Sequence, residues 1–492
     1  MTQNQTATDP MDVVDYKDYE PEIEGLGLFK RGVERWHADF AFRDAYALDR
    51  RAALDSAGLE GIDPDELDIL VHRHMAIAAN EADTPVPPMV AAYRRFIKVK
   101  MKHAKQVRDS RPDNDRYLRW RRRMINSGVF SQGVAKFEKV VHAPFAAELS
   151  RGCTVNCWFC GVDAGKFEGS ASFDEPTEKL WRGMLQVLAD EIGPDFAQHG
   201  FCYWATEPFD NQDYEQFVDA FHDELGYLPQ TTTAVAMRDP ERTRRLLKMA
   251  GQRNAFVQRF SVTTKKDFDA IHRDFDPEEL LLVELIPQFE NRASPKATAG
   301  RVRSLVLDRI DAGKEVPFEY DLEMTGSIAC VSGFLINVPE RMVRLVTPCR
   351  ATDQWPLGYR ILREERFEDA EGLRCFVRSC IENEMVQSLE PEDVVEIRHP
   401  EAVTFEIPEP DQLDVVGGGM RISMRGIVGA ADLAERVRNG AASLTELVED
   451  REKAGYEPAE TILGINRLFR AGCLREPNDR PEHVQLSISA EA

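Results

Sequence analysis

Three cysteines stand close together in one short stretch of the sequence. They are Cys153, Cys157 and Cys160, in the run RGCTVNCWFCG, and their spacing is C-x3-C-x2-C. Three thiolates on one loop can hold three irons of a cubic 4Fe–4S cluster and leave the fourth iron without a protein ligand. A structural zinc site needs four ligands, and no further Cys or His occurs between Cys160 and His199. The spacing therefore favours an iron–sulfur cluster over zinc or over three cysteines that merely pack.

The elements that would position this loop follow a strand–helix rhythm. Short apolar runs predict β-strands, and amphipathic segments lie between several of them. The predicted strands cover 144–149, 199–205, 231–236, 255–262, 280–286 and 328–336. Strands that alternate with helices are typical of parallel βαβ units, so we expect an α/β fold with a partial (β/α)6 barrel. Active sites of such barrels lie at the C-terminal ends of the strands, and the cysteine loop follows the first predicted strand.

Distinct regions flank the predicted barrel. Apolar residues at three- and four-residue spacing predict short helices from Phe29 to Leu70, and thirteen Lys or Arg between Arg94 and Arg123 mark a basic helical stretch. A Pro-rich acidic connection at 399–419 precedes three predicted helices, which suit a winged-helix-like module. The predicted divisions are 1–80 for an acidic tail and small helical module, 81–140 for the basic segment, 141–350 for the barrel, 351–404 for a helical or loop extension over the active site, 405–477 for the winged-helix-like module and 478–492 for a disordered tail.

Length and charge restrict the classes of protein. A chain of 492 residues with 43% hydrophobic residues can bury a large core. The net charge of −23 opposes binding to nucleic acid or to anionic lipid surfaces. No apolar run reaches the roughly 18 to 20 residues that a membrane span needs, and the acidic N-terminus is the reverse of a secretory signal. We therefore expect a cytoplasmic protein without nucleic-acid or membrane partners, whose nine cysteines stay reduced.

The cysteine run resembles the signature of the radical S-adenosylmethionine (SAM) superfamily, including the aromatic Phe159 before the last cysteine. The resemblance implies the partial barrel of that superfamily. It also implies a 4Fe–4S cluster held by Cys153, Cys157 and Cys160, with the amino and carboxylate groups of SAM on the open iron.

Other residues match SAM-binding positions of that superfamily. Glu207, in the run WATEP at the end of the second predicted strand, matches the acid that contacts the SAM amino group, beside the backbone at Thr206. The pair Ala205-Thr206 departs from the double glycine of the superfamily, and an ordinary acid at a strand end is the alternative. Arg259 and Ser261, on the fourth predicted strand, fit positions that contact the SAM carboxylate or ribose.

Longer runs resemble the radical SAM amino-acid epimerases of proteusin type, which mature ribosomally synthesised peptides. The runs are ELSRGCTVNCWFCGVDAG, YWATEPFDNQDYEQF, CVSGFLINVPERMVRLVTPCRATDQWPLGY and WHADFAFRDAYALDRRAALDSAGL. The resemblance implies conversion of L- to D-residues in a precursor peptide: a radical takes the Cα hydrogen, and a thiol returns hydrogen to the opposite face. A radical SAM maturase that forms thioether or carbon–carbon crosslinks, and a non-enzymatic iron–sulfur sensor or scaffold, are the alternatives.

Two cysteines compete for the role of hydrogen donor. Cys349 follows the last predicted barrel strands and precedes the turn WPLGY, so a loop that carries it could cover the barrel mouth. Cys330 lies in a β-rich run and is the second choice, because free cysteine is often a core residue. Cys202 is expected to be a strand residue, and Cys375 and Cys380 are expected to pack on a helix. An auxiliary cluster held by the downstream cysteines from Cys330 to Cys380 is a further alternative.

Two regions are candidates for binding partners. The basic stretch from Arg94 to Arg123 suits an acidic leader of the precursor peptide, or an electron donor such as flavodoxin, although a solvated helix face fits equally well. The module at 405–477 suits capture of the leader at a sheet edge, with a structural cap as the alternative.

Glu284 and Asn291, near the fifth predicted strand, are expected to be structural.

Replacing Cys153, Cys157 and Cys160 together with Ala should abolish the visible absorption of the anaerobically reconstituted cluster and all cleavage of SAM. The reason is that no thiolate remains on the loop to bind iron. Iron, sulfide and 5′-deoxyadenosine are the quantities to measure. A triple variant that keeps a full cluster would move the site to the downstream cysteines.

Overall fold

The computed structural model describes residues 23–72, 86–137, 140–253, 255, 257–289, 298–316, 329–440 and 442–479. The acidic tail before residue 23, Asn291 and the tail from residue 480 lie outside these ranges. Within them, no helix combines the length and apolar character that crossing a membrane requires.

The helices and strands are as follows. The α-helices are α1 Leu26–Ala38, α2 Phe40–Leu48, α3 Arg50–Ser56, α4 Pro64–Val71, α5 Pro88–Asp109, α6 Asp115–Gln132, α7 Val134–Phe137, α8 Glu175–Ile192, α9 Pro194–Ala197, α10 Tyr214–Leu225, α11 Pro240–Gln252, α12 Lys265–Asp274, α13 Gly300–Asp311, α14 Ala370–Ser379, α15 Ala430–Asn439, α16 Leu444–Lys453 and α17 Pro458–Ala471. The strands are β1 Ala143–Glu148, β2 Ser150–Arg151, β3 Gly169–Ser170, β4 Thr232–Thr233, β5 Gln258–Val262, β6 Val283–Pro287, β7 Val331–Asn337, β8 Met342–Pro348, β9 Tyr359–Arg366, β10 Val394–Val395, β11 Thr404–Glu409, β12 Gln412–Gly417, β13 Met420–Arg425 and β14 Ala442–Ser443. Short 3-10 helices cover Pro208–Asp210 and Pro477–Asp479, and a π-helical turn covers Cys380–Glu384.

The described residues form two compact units. The first unit contains the described residues up to Asp109, together with Glu207–Phe209 and those from Tyr227 to residue 289. The second unit contains Ser110–Thr206, Asp210–Gly226 and the described residues from 298 onward.

A small helical module opens the first unit. The side chains of Asp39, Asp49 and Asp63 accept hydrogen bonds from backbone N–H groups at the starts of α2, α3 and α4, which satisfies donors that a helix start leaves open. The apolar faces of these helices and of α1 enclose one core. Its buried residues include Phe29, Val33, Phe42, Tyr46, Leu54 and Leu67. The short helices predicted between Phe29 and Leu70 are therefore present.

A parallel three-stranded sheet lies in the rest of the first unit, in the order β4-β5-β6. Parallel neighbours need a crossover connection, and α11 and α12 lie in these connections. Side chains alternate along β5: Phe260 and Val262 are buried, whereas Arg259 and Ser261 are partly exposed. The two polar residues therefore share one face of the sheet.

The main sheet of the second unit has the order β1-β7-β8-β9. β1 pairs in parallel with β7, whereas β7, β8 and β9 form an antiparallel meander. Every residue of β1 and β7 is buried, as expected for strands that are covered on both faces. The Tyr117 hydroxyl on α6 donates to the Ser332 carbonyl at 2.8 Å and so fixes α6 against β7.

The C-terminal part of the second unit combines a sheet with three helices. The antiparallel strands β11, β12 and β13 precede α15, α16 and α17. One core joins these elements to Leu389 and Val395 and to Phe130 on α6. The three helices were predicted, but the sequence indicated only one possible flanking strand.

The predicted strands agree with the structure to different degrees. The runs 144–149, 255–262, 280–286 and 328–336 correspond to β1, β5, β6 and β7, and 231–236 retains only β4. The run 199–205 is a bend, in which Phe201 forms one parallel bridge to Ala146. Its Ala205 N–H group donates to a side chain rather than to a strand.

β8 and β9 are a further departure from the predicted parallel pattern. Arg341, at a φ of 51°, reverses the chain between β7 and β8, so the strands pair as a hairpin. β9 lies within the segment 351–404, for which helix and loop were expected. The described chain is a mixed α/β protein in which the paired strands form several small sheets.

A buried ion pair ties the C-terminal residues to α6. Arg123 donates to both carboxylate oxygens of Glu476, at 2.8 and 3.0 Å, and both side chains are almost fully buried. Its guanidinium also lies 4.3 Å from the centroid of the Phe469 ring. Nearby, Asp479 accepts hydrogen bonds from Arg360, at 2.6 Å, and from Arg398.

Replacing Arg123 with Ala should lower the free energy of unfolding of the second unit by about 3 to 5 kcal/mol, because the buried Glu476 carboxylate then loses the cation to which it is hydrogen-bonded. Arg378→Ala is the control, since Arg378 is exposed and Glu191 keeps Arg374 as a partner. Urea unfolding followed by circular dichroism measures both variants. Equal destabilisation by the two substitutions would contradict the conclusion that the buried Arg123–Glu476 pair matters more to stability than an exposed pair.

Candidate functional site

The cysteine loop begins with a close backbone approach that only glycine allows. Gly152 has a φ of 70°, and a Cβ there would lie 2.0 Å from the Lys166 carbonyl oxygen. The next residue, Cys153, donates its backbone N–H to the Gly165 carbonyl at 3.0 Å. β2 and β3 pair just outside this contact and close the loop at its base.

Two side chains after the WATEP run hold the loop from outside. The Asp210 carboxylate accepts hydrogen bonds from the Thr154 N–H at 2.8 Å and from the Thr154 hydroxyl at 2.6 Å. Asn211 donates to the carbonyls of Leu149 and Ala171 at 3.0 and 2.9 Å. Both side chains are buried, so the loop rests on fixed polar groups.

The three cysteine side chains are partly exposed, and none is part of a core. The Val155 N–H donates to Cys153 Sγ at 3.4 Å, and the Ala164 N–H donates to Cys160 Sγ at 3.3 Å. Backbone donors aimed at sulfur stabilise thiolates and are one of the factors that set the potential of iron–sulfur clusters. Phe159 packs edge-to-face with the exposed Trp158, with ring centroids 5.6 Å apart.

Arg301, in the first turn of α13, contacts this loop at several points, and the sequence did not indicate it. Its side chain donates to the Asp163 carboxylate at 2.8 Å, to the Cys157 carbonyl at 3.1 Å and to the Ala164 carbonyl. Its backbone N–H donates to the Cys160 carbonyl at 2.9 Å. Because it lies 138 residues from Asp163 along the chain, no local spacing pattern could have identified it.

The donor set of the loop fits a 4Fe–4S cluster with one open iron. Across the ranges that the structure describes, no three His, Cys, Asp or Glu side chains are arranged around a single metal ion. A cube bonds each thiolate to a different iron, so its ligands are spaced more widely than those of one ion. Three partly exposed thiols and backbone donors to two sulfurs are the features that suit the cube.

Glu148 is a second residue that the sequence analysis missed. It ends β1, is buried, and accepts hydrogen bonds from the Asn337 side chain at 3.0 Å and from the Ala205 N–H at 2.9 Å. Burial raises the pKa of its carboxyl above the usual value, against the opposing effect of these donors. An acid that ends an otherwise apolar strand run was the available signal. Glu148 fixes the chain beside Thr206, which is itself partly exposed.

Glu207 lies in the first unit, at the end of β4. Its carboxylate is buried and accepts hydrogen bonds from the Thr233 hydroxyl at 2.6 Å, the Ala234 N–H at 2.8 Å and the Phe209 N–H at 3.2 Å. The structure therefore gives it a definite role in ordering the C-terminal end of β4.

The other predicted SAM contacts in the first unit lie on β5. Arg259 donates to the Glu284 carboxylate at 2.8 Å, and Lys100 on α5 donates to its other oxygen at 2.7 Å. Burial favours the neutral acid at Glu284, but the two cations outweigh it and lower the pKa of Glu284. Ser261 lies two residues along the same face as Arg259. Glu284, which was expected to be structural, thus joins two cations on that face.

Cys330 and Cys349 lie near each other in the fold. Cys330 directly precedes β7 and Cys349 directly follows β8; because these strands are antiparallel, both cysteines lie at the same end of the hairpin. The two cysteines lie at the end of the sheet where β1 begins, at Ala143. The cysteine loop lies at the opposite end, because it follows the last residue of β1, Glu148. Cys349 was expected to follow the last barrel strands, but strand order alone does not bring it to the cysteine loop.

A different contact links the segment after Cys349 to the cysteine loop. The Pro356 carbonyl accepts a hydrogen bond from the Gly300 N–H at 2.8 Å, and the next residue, Arg301, bonds the loop. Cys349 itself donates its backbone N–H to the Gly358 carbonyl at 3.0 Å. Burial raises the pKa of its thiol to about 12, so the sulfur keeps its hydrogen at neutral pH.

The remaining cysteines differ in how far they are exposed. Cys202, Cys380 and Cys473 are buried, which confirms the expectation that Cys380 packs, whereas Cys202 lies in a bend and not in the predicted strand. Cys375 is exposed on α14, so the expectation that it packs is wrong. It lies on the outward side of an amphipathic helix whose Leu373, Phe376 and Val377 are buried.

Comparisons with known proteins identify a relative. The chain is 36% identical over 379 residues to an uncharacterized protein, y4wI, of Sinorhizobium fredii (strain NBRC 101917 / NGR234), and the match covers 76% of this chain and 73% of the relative. The chain therefore belongs to the same family as y4wI. No family model matches it. A solved structure of BtrN in complex with AdoMet and 2-DOIA is similar over 41% of this chain and 72% of that chain, at 14% identity and a TM-score of 0.28, which is too weak to carry an argument.

Glu148→Gln should change how stability depends on pH. Because the pKa of Glu148 is raised in the folded state, its contribution to stability is present below the unfolded pKa and is lost as the pH rises through the folded pKa. The wild type should therefore lose stability relative to the Gln variant as the pH rises above the ordinary Glu pKa of about 4.3. Thermal melts at a series of pH values measure the difference, and a constant difference would contradict the burial argument.

Proposed function

We propose that the protein is a radical SAM enzyme that epimerises residues of a ribosomally synthesised precursor peptide. The observation that carries the proposal is the loop with Cys153, Cys157 and Cys160, whose thiols are partly exposed and whose backbone donates to two of the sulfurs. The resemblance of longer runs to peptide epimerases supplies the reaction. When bound, the reduced cluster and SAM supply a carbon radical that can take hydrogen from a peptide Cα.

The residues of this chain bind and orient SAM in the proposal. Glu207 and the backbone at Thr206 are proposed to contact the SAM amino group, and Arg259 with Ser261 its carboxylate or ribose. Lys100 and Arg259 together carry two positive charges against the single negative charge of Glu284. One positive charge is therefore left over to attract the SAM carboxylate. Glu148 keeps the Ala205 backbone in place, so the Thr206 backbone is held as well.

Cys349 is the proposed donor of hydrogen to the opposite face of Cα. In this step the S–H bond of Cys349 breaks and a Cα–H bond forms, which leaves a sulfur radical. One electron and one proton from an external donor, such as flavodoxin, restore the thiol. The contact of the segment after Cys349 with Gly300, through the Pro356 carbonyl, supports the role. Cys330 lies at the same end of the hairpin and is the second candidate.

Binding of the partners is assigned to two surfaces. The basic stretch from Arg94 to Arg123 is proposed to attract an acidic leader or an electron donor, in a protein that is otherwise strongly negative. The outer strands β11 and β13 each pair with β12 on one side, and a leader peptide is proposed to add to one of these edges. The cytoplasm is the proposed location, because free thiols and a reduced cluster persist there.

Two measurements test the reaction class. Reconstituted protein, SAM and dithionite should give 5′-deoxyadenosine, and a protein that gives none would be a sensor or scaffold. With a precursor encoded beside the gene, epimerisation should leave the peptide mass unchanged in water and add one deuterium per site in deuterium oxide. Loss of two hydrogens would instead indicate a crosslinking maturase.

Replacing Cys349 with Ala should leave peptide-dependent formation of 5′-deoxyadenosine but remove most of the D-residue. The reason is that abstraction does not need this thiol, whereas return of hydrogen does. Because Cys330 lies at the same end of the hairpin, Cys330→Ala and the double variant are measured beside it. Chiral amino-acid analysis after hydrolysis gives the product.

Failure of Cys330→Ala with normal epimerisation by Cys349→Ala would assign the donor to Cys330. Normal epimerisation by the double variant would contradict the thiol mechanism.

A further inference from the structure

We infer that Arg301 is a positioning residue for the cysteine loop, which it holds in the conformation that binds the cluster and to which it adds a positive charge. This inference rests on the proposed function. Arg301 belongs to α13, on a segment of the second unit that no motif in the sequence marks.

The first support is the number and direction of its contacts. The guanidinium reaches three groups of the loop, the carboxylate of Asp163 and the carbonyls of Cys157 and Ala164. These groups lie on both sides of Cys160, so one planar side chain fixes the segment between the second cysteine and the end of the loop. A guanidinium has five N–H donors in a rigid fork, and no other side chain could serve these acceptors together.

The second support is the close approach of the helix itself. The Arg301 N–H donates to the Cys160 carbonyl at 2.9 Å. The preceding Gly300 has a φ of 54°, and a Cβ there would lie 2.6 Å from the Cys160 carbonyl oxygen and 2.5 Å from that of Gly161. A side chain at this position would push the helix away from the loop. The backbone of α13 is thus built to touch the loop at Cys160.

The third support is the conformation of the loop. Asn156 and Asp163 have φ values of 51° and 48°, in the left-handed region that Asn and Asp adopt more readily than other residues except glycine. Arg301 bonds the Asp163 side chain directly, so it favours this backbone conformation at the point where the loop leaves Cys160. Without Arg301, the loop would lose interactions that favour this conformation over others.

Two consequences for the cluster follow. A loop that is held in its binding conformation before iron arrives binds the cluster more tightly, since less order is lost on binding. A fixed cation beside the thiolates favours the reduced, more negative cluster and raises its reduction potential. The negative charge of Asp163 offsets part of this effect. The shift in reduction potential is therefore smaller than an unpaired cation would cause, but it has the same direction.

The test uses the full chain, reconstituted anaerobically, with Arg301→Ala, Arg301→Lys and the control Arg309→Ala. Arg309 lies on the same helix but donates to the Glu315 carbonyl at its other end. We measure iron and sulfide per chain, the rate of iron release to a chelator, and the reduction potential by electron paramagnetic resonance during titration with dithionite.

Arg301→Ala should release iron about tenfold faster than the wild type or more, which is the usual effect of losing a group that orients metal ligands. Its reduction potential should also become more negative. Arg301→Lys should keep the potential near that of the wild type, because the charge remains, but should still release iron faster. Arg309→Ala should match the wild type in both quantities.

Wild-type release rate and potential in Arg301→Ala would overturn the inference while leaving the proposed function intact. A wild type that binds no cluster at all would overturn both. If Arg301→Ala does not fold, by circular dichroism of the apoprotein, the Lys variant decides: release at the wild-type rate overturns the inference, and faster release at an unchanged potential supports it.

Discussion

The parallel pairing of β1 with β7 is the constraint on which the second unit depends. It joins Ala143 to Val331 and Glu148 to Asn337, segments that are nearly two hundred residues apart in the sequence. This register brings the Asn337 side chain to the buried Glu148 carboxylate, which in turn holds the backbone at Ala205. A shift of one residue would turn every side chain of β1 to the opposite face and would leave Glu148 without these donors.

Buried charge in this acidic protein is balanced locally. Arg123 and Glu476 satisfy each other, and Asp479 receives both Arg360 and Arg398. The C-terminal residues 476–479 are therefore attached to α6 and β9 by ion pairs rather than by apolar packing. Such pairs add little net stability but are costly to break singly, so they specify one arrangement of these elements. Arg301 follows the same rule at a more exposed position, where its contacts specify the conformation of the cysteine loop.

Much of the fold was predictable where a pattern is local. Apolar residues are continuous along β1 and β7 and alternate with polar residues along β5 and β6, so these strands could be predicted. Several amphipathic helices begin after an Asp whose side chain caps the helix, such as Asp239 and Asp369. The run 199–205 has the same composition as a strand but forms one parallel bridge followed by a bend, in which the Ala205 N–H donates to the Glu148 side chain. β8 was not among the predicted strands, and its antiparallel pairing with β7 follows a reversal of the chain that composition does not mark.

The sequence by itself determined the donor chemistry: three thiols at fixed spacing, a buried strand before them, and polar residues at alternate positions of β5. These features are local, since spacing along a loop or strand decides which side chains can act together. Only the tertiary structure decided what holds the loop, because Asp210 and Arg301 come from distant segments whose approach depends on packing. It also decided that Cys330 and Cys349 share one end of a hairpin, since strand direction follows from pairing and not from composition.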